Sequence, residues 1–181
     1  RYGLGDGPVV LFMGRLHPRK GLQVLAEAFR QIERPDARLV IAGPDEGALQ
    51  MTQPLLDERA VVTGYIDGHE RLEALAAADL FALPATGEGL SMAALEAMAC
   101  GLPVLLAPGC NLPEAATAGA GVIVEPEVTA LAAALRELLN NPTQRAQMGT
   151  AGQRLVHERF TWDVVAHQMM AVYDAAASAS S

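Results

Sequence analysis

Cysteine is nearly absent. The two present, Cys100 and Cys110, are too few for a disulfide framework and lack the spacing of a metal site, so reduced structural thiols in a cytoplasmic protein are expected. Positive charge is also short. Thirteen Lys plus Arg against 21 Asp plus Glu give a net charge of −8, which leaves no basic footprint for a polyanion and predicts no nucleic-acid partner. No apolar run approaches the roughly 20 residues of a membrane span, and no charged, apolar and small-residue leader opens the chain. There is neither a GxGxxG dinucleotide turn nor a GxxxxGK[ST] loop, so hydride transfer and P-loop NTP hydrolysis lose their best support. Lysine is limited to Lys20, the other 12 cations being arginine.

What is there suffices for one core. The 181 residues are 51% apolar, enough for one domain and too few for two large ones; we place it at residues 1–174, with the unperiodic AAASASS of 175–181 as a disordered tail. Continuous apolar runs at Pro8–Met13, Arg38–Ala42, Ala60–Thr63, Leu80–Leu83, Pro103–Ala107 and Gly121–Val124 read as strands buried on both faces. Between them fall helical patterns at Leu22–Ile32, Glu46–Leu56, Gly68–Ala78 and Leu90–Ala99, followed by Val128–Leu139, a helix to about Glu158 and a last one from Trp162. The alternation predicts an α/β fold with a doubly wound, mainly parallel, six-stranded Rossmann-like sheet. Ligands of such sheets sit beyond the carboxyl ends of the strands, which gathers the loops that begin at Gly14, Gly43, Gly64 and Pro84.

Two of those loops carry charge suited to an anion. In GRLHPRKG, Gly14 to Gly21, Arg15 and Lys20 follow a strand and precede a helix, where two cations can stabilise a diphosphate; a solvated basic loop fits those residues equally well. In LPATGEGLSMAALEAMACGLPV, Leu83 to Val104, a glycine-containing turn opens a helix whose first amides lack intrahelical partners. Glu88 and Glu96 flank seven residues, about 12 Å apart along the axis at ~1.5 Å per residue. That exceeds the roughly 5–9.5 Å of a glycosidase acid pair. Two separate acceptors for hydroxyls of one long ligand fit better, although helix-dipole pairing and an exposed helix acid remain open for each taken singly.

GRLHPRKG, LVIAGPDEG, VVTGY, AADLFALPATGEGLSMAALEAMACGLPV and CNLPE, in this order, resemble the donor-binding C-terminal domain of retaining GT-B glycosyltransferases, the group one (family four) set, over about Pro8 to Trp162. The resemblance implies one half of a GT-B fold that binds a UDP-, GDP- or ADP-sugar, with no other cofactor and no metal, since arginine, lysine and helix amides carry the charge. No DxD or His/Asp cluster stands against that. It implies Arg15, Lys20 and Glu88 as catalytic residues, the cations on the diphosphate and Glu88 on the sugar hydroxyls. Gly14, Gly89, Leu90, Ser91 and Met92 would line the phosphates and ribose, Glu96 would hold the ribose, and Tyr65 and Ile66 would sit near the base. The family's closing Phe-x-Trp matches Phe160 and Trp162.

Two departures stand out. EGLS replaces the family's frequent EGFG, which predicts altered donor preference, and PEAATAGAGVIVEP replaces an Asp-Gly turn, which predicts a changed surface loop. RYGLGDG reads as an interdomain linker, so a partner N-terminal acceptor domain is expected outside this chain, with any membrane association through it. Alone, the domain is expected to bind nucleotide weakly and turn over nothing. Two other readings stay open, a nucleotide-sugar epimerase of GT-B fold and a non-catalytic nucleotide-binding module.

Overall fold

The computed structural model describes residues 3–179; Arg1 and Tyr2 of the linker reading, and Ser180 and Ser181 of the tail reading, lie outside the described residues. Six strands, β1 Val9–Met13, β2 Arg38–Ala42, β3 Ala60–Gly64, β4 Leu80–Leu83, β5 Val104–Leu106 and β6 Gly121–Ile123, form one sheet in the order β3-β2-β1-β4-β5-β6. Every pairing is parallel, with Val10 opposite both Leu39 and Leu80 at the centre. Burial explains why these runs carry no polar alternation. All residues of β1, β4 and β5 are buried, whereas the edge strand β3 is half exposed, as expected of parallel strands covered on both faces.

The helices are α1 Leu22–Arg30, α2 Leu49–Thr52, α3 Gly68–Ala77, α4 Met92–Ala99, α5 Glu114–Thr117, α6 Val128–Asn140, α7 Pro142–Arg159 and α8 Trp162–Ala179. In α1 the buried set Leu22, Leu25, Ala26 and Phe29 follows helical spacing, and α1 packs on α6 while α4 packs on α7. Phe12, Phe29 and Phe81 are fully buried, each contributing about 1.5–3 kcal/mol by leaving water.

Three boundaries differ from the sequence reading. The helix expected over Glu46–Leu56 is divided into α2 and a 3₁₀ turn at Gln53–Leu55, because Pro54 cannot donate to an α-helical ladder. The central helix starts at Met92 rather than Leu90, with Ser91 as its cap. The expected disordered tail is helical through Ala179; its alanines are strong helix formers that need no packing partner to continue a turn.

Candidate functional site

The chain leaves β1 toward β2 and β3 on one side, and β4 leads to β5 and β6 on the other. The order therefore reverses between β1 and β4, and a crevice opens beyond their carboxyl ends. The loops that follow these two strands, 14–21 and 84–91, form its walls.

Backbone contacts hold the walls together. The Thr86 amide donates to the Arg19 carbonyl at 2.8 Å, and the Thr86 hydroxyl reaches the same oxygen at 3.2 Å. Gly21, at φ 73°, passes so near the second wall that a Cβ would stand 2.1 Å from the Pro84 carbonyl oxygen. The loop after β2 joins the first wall. Gly43 lies where a Cβ would stand 1.8 Å from the Gly14 carbonyl oxygen, and the Leu16 amide donates to Pro44 O at 2.8 Å. A loop after β5 supports the second wall: the Glu88 amide donates to Gly109 O, and Asn111, itself left-handed at φ 52°, donates Nδ2 to Gly89 O, both at 2.8 Å.

Across these walls Lys20 forms an ion pair with Glu88, both side chains largely shielded. Lys20 ends a 3₁₀ turn at Pro18–Lys20 that His17 caps, its Nδ1 accepting from the Arg19 amide at 3.2 Å. Arg15, read together with Lys20 from sequence, points elsewhere. It is exposed and pairs with Glu46 on the β2 loop at 2.9 Å. Asp45, beside it, accepts from the Gly47 and Leu49 amides, both at 3.0 Å, and so orders the approach to α2.

At the start of α4 the Ser91 hydroxyl accepts from the Ala94 amide at 3.3 Å and is buried. Its side chain is thus committed to the helix. The amides of Met92 and Ala93 remain as first-turn donors at the positive end of the dipole. Gly89, Leu90 and Met92 are exposed at this mouth. Further along α4, Glu96 pairs with Arg71 of α3, a partner 25 residues away that no local sequence pattern announced. Tyr65, exposed after β3, is free to meet a ligand from solvent, while half-buried Ile66 lines an apolar hollow beneath α3. That hollow, about 320 Å³, is bounded by Leu4, Val9, Val40 and Ala74 and includes none of Lys20, Glu88 or Glu96. Its lining is mainly apolar, with Thr63, Glu70 and Glu73 the polar members and no cation, so it lacks the charge the crevice offers an anion.

The arrangement brings Lys20, Glu88 and the first-turn amides of α4 to one opening, a cation, an acid and helix amides that suit a phosphorylated ligand bearing hydroxyls, with Arg15 at the rim and Glu96 further along α4. The model of the family described as "Glycosyl transferases group 1" matches residues 3–155. The chain belongs to this family. It is 36% identical over 174 residues to a GDP-mannose-dependent monoacylated alpha-(1-6)-phosphatidylinositol monomannoside mannosyltransferase of Corynebacterium glutamicum, covering 90% of this chain and 46% of that protein. The sucrose-phosphate synthase structure from Thermosynechococcus elongatus superposes at a TM-score of 0.80 with 32% identity, covering 96% of this chain and 46% of the other. The C-terminal domain of a group 1 protein from Francisella tularensis shares the fold at a TM-score of 0.74 and 24% identity, covering 86% of this chain and 87% of that one. The chain thus spans about half the length of the curated relatives it matches, and its sheet is the Rossmann-like half of a GT-B fold. No helix among the described residues is long and apolar enough to cross a membrane.

Proposed function

We propose that this chain is the donor-binding half of a retaining glycosyltransferase and holds a nucleoside-diphosphate sugar in the crevice between β1 and β4. The observation that carries the reading is the Lys20–Glu88 pair across the switch point, beside the start of α4. With donor bound, Lys20 turns toward the diphosphate and Glu88 accepts from sugar hydroxyls. Arg15 reaches the same diphosphate from the rim. As the bond from the anomeric carbon to the diphosphate oxygen breaks, negative charge grows on the leaving group, and the cations with the Met92 and Ala93 amides stabilise it where it develops. They supply charge that a divalent ion provides in other transferases. Gly14, Gly89, Leu90, Ser91 and Met92 shape the phosphate and ribose walls, Glu96 accepts from the ribose, and Tyr65 and Ile66 border the base.

The acceptor is held by an N-terminal domain of the same enzyme, so the chain alone transfers nothing. The relative named above is GDP-mannose-dependent and is named for a phosphatidylinositol monomannoside, which makes GDP-mannose the first donor to test and supports a reading in which the enzyme works in the cytoplasm, with any membrane association through its acceptor half. Calorimetric titration with GDP, UDP and ADP tests the site. Lys20→Ala is expected to weaken the preferred nucleotide by about tenfold or more, the loss of a charge-assisted hydrogen bond, with the fold checked by circular dichroism. Equal affinities for wild type and variant would overturn the assignment.

A further inference from the structure

We infer that Arg71 is a positioning residue for the ribose end of the crevice, fixing the Glu96 carboxylate from the neighbouring helix; the inference rests on Glu96 being the ribose acceptor proposed above. Glu96 stands in the body of α4, and its flexible side chain has several rotamers available from that backbone. Arg71 stands in the first turn of α3, whose start follows directly on Tyr65 and Ile66, and its amide donates to Asp67 O at 3.3 Å. The guanidinium therefore approaches Glu96 from an element outside α4. Nη2 donates to Oε2 of Glu96, which selects one rotamer and leaves Oε1 for a second donor, since a carboxylate accepts at both oxygens.

Two features separate this pair from an incidental surface ion pair, which contributes little. Both side chains are about two-fifths exposed, 41% for Arg71 and 37% for Glu96, so a ligand has access to the carboxylate while the pair persists. The Arg71 Nε is buried and has no hydrogen-bond partner among the described residues; a buried donor of that kind calls for a functional or ligand-linked explanation. A vicinal diol that donates to Oε1 then meets a carboxylate already in place, and less conformational freedom is lost on binding.

The test compares wild type, Arg71→Gln, Arg71→Lys, Glu96→Gln and the Arg71→Gln, Glu96→Gln double variant by calorimetry. The ligands are GDP, UDP and ADP, followed by the dideoxyribose analogue of whichever binds tightest. Arg71→Gln is expected to weaken the ribonucleotide by about tenfold and the dideoxy analogue by less than about twofold, because only the former uses Glu96. Arg71→Lys should recover part of the loss, and in the Glu96→Gln background Arg71→Gln should cost nothing further. Wild-type affinity in Arg71→Gln, or an equal loss for both ligands, would overturn the positioning role while leaving the crevice assignment intact. A folded wild type that binds none of the three nucleotides would overturn the crevice assignment and this inference with it.

Discussion

Arg59 shows how one buried cation can organise an element it does not belong to. From the start of β3 its guanidinium donates to the carbonyls of Phe29 at 3.2 Å, Ile32 at 3.0 Å and Arg34 at 3.2 Å, lies 4.8 Å from the Phe29 ring centroid and pairs with Asp57 at 2.7 Å. It thereby ties the end of α1 and the turn that follows it, from Phe29 to Arg34, to the start of the third strand. Arg59→Ala is expected to lower unfolding stability in urea by about 2–3 kcal/mol, since several buried acceptors lose their donor at once. Arg59→Lys should restore less than half, because an ammonium does not span a planar fork. The hydrogen bond from Arg59 also holds the Asp57 carboxyl below its ordinary range, more than burial raises it. A folded-state value below the unfolded one means that Asp57 stabilises the fold above about pH 4 and loses this effect as pH falls through the lowered folded value. Acid titration of stability should therefore be shallower in Asp57→Asn than in wild type. The cysteines separate by access: burial raises both thiols, but Cys110 is buried and donates to Leu83 O at 3.0 Å, so a thiol reagent should modify exposed Cys100 first.

Among the loops, close backbone approach decides the geometry of the crevice more than side-chain chemistry does. Gly21→Ala would place a methyl 2.1 Å from the Pro84 carbonyl oxygen at φ 73°, combining left-handed strain with a clash against backbone, for an expected cost of about 2–4 kcal/mol and weaker nucleotide binding. Gly47→Ala is the control. Its φ of 94° is strained too, but no atom lies within 4 Å, so only about 1–2 kcal/mol is expected, with nucleotide affinity retained; thermal unfolding and titration of both variants check this. The strands themselves were legible from sequence because a parallel strand covered on both faces must be apolar throughout, as in VVLFM at Val9–Met13. The crevice was legible for the same reason, since a glycine follows β1 and β2 and ends β3, and such sheets bind beyond their strand ends. The pairings were not. Glu46 meets Arg15 over 31 residues and Arg71 meets Glu96 over 25, separations at which no helical or strand period applies. The end of the chain was not legible from composition, because small alanines signal low burial and high helix propensity together, and the helix runs on to Ala179.

At the scale of the molecule, stability and the last helix are separable. The buried core cluster runs from Val9 to Leu155, with Phe160 packed against its edge; it includes β1, β2, β4 and β5 and the inner faces of α1, α4 and α6, while Ala60 of β3 and Val122 and Ile123 of β6 pack against it from the sheet edges. Helix α8 adds almost nothing to it. From Val165 to Ser178 every residue is exposed, among them Met169, Met170, Val172 and Tyr173. Apolar burial is the main favourable term in folding, so an element that buries no apolar surface contributes little to the global unfolding free energy. A chain ending at Val164 should therefore melt within about 2–3 °C of the full chain by circular dichroism, a shift that corresponds to under about 1 kcal/mol in a domain of this size. Removal of α7 as well should abolish the cooperative transition, because Leu155 and the α4 contact go with it. The shorter chain should also associate less at high concentration, since the exposed methionines and Tyr173 are removed. A fall of more than about 5 °C on trimming at Val164 would show that α8 clamps the fold through its contact with α7, and light scattering on both chains would read the association directly.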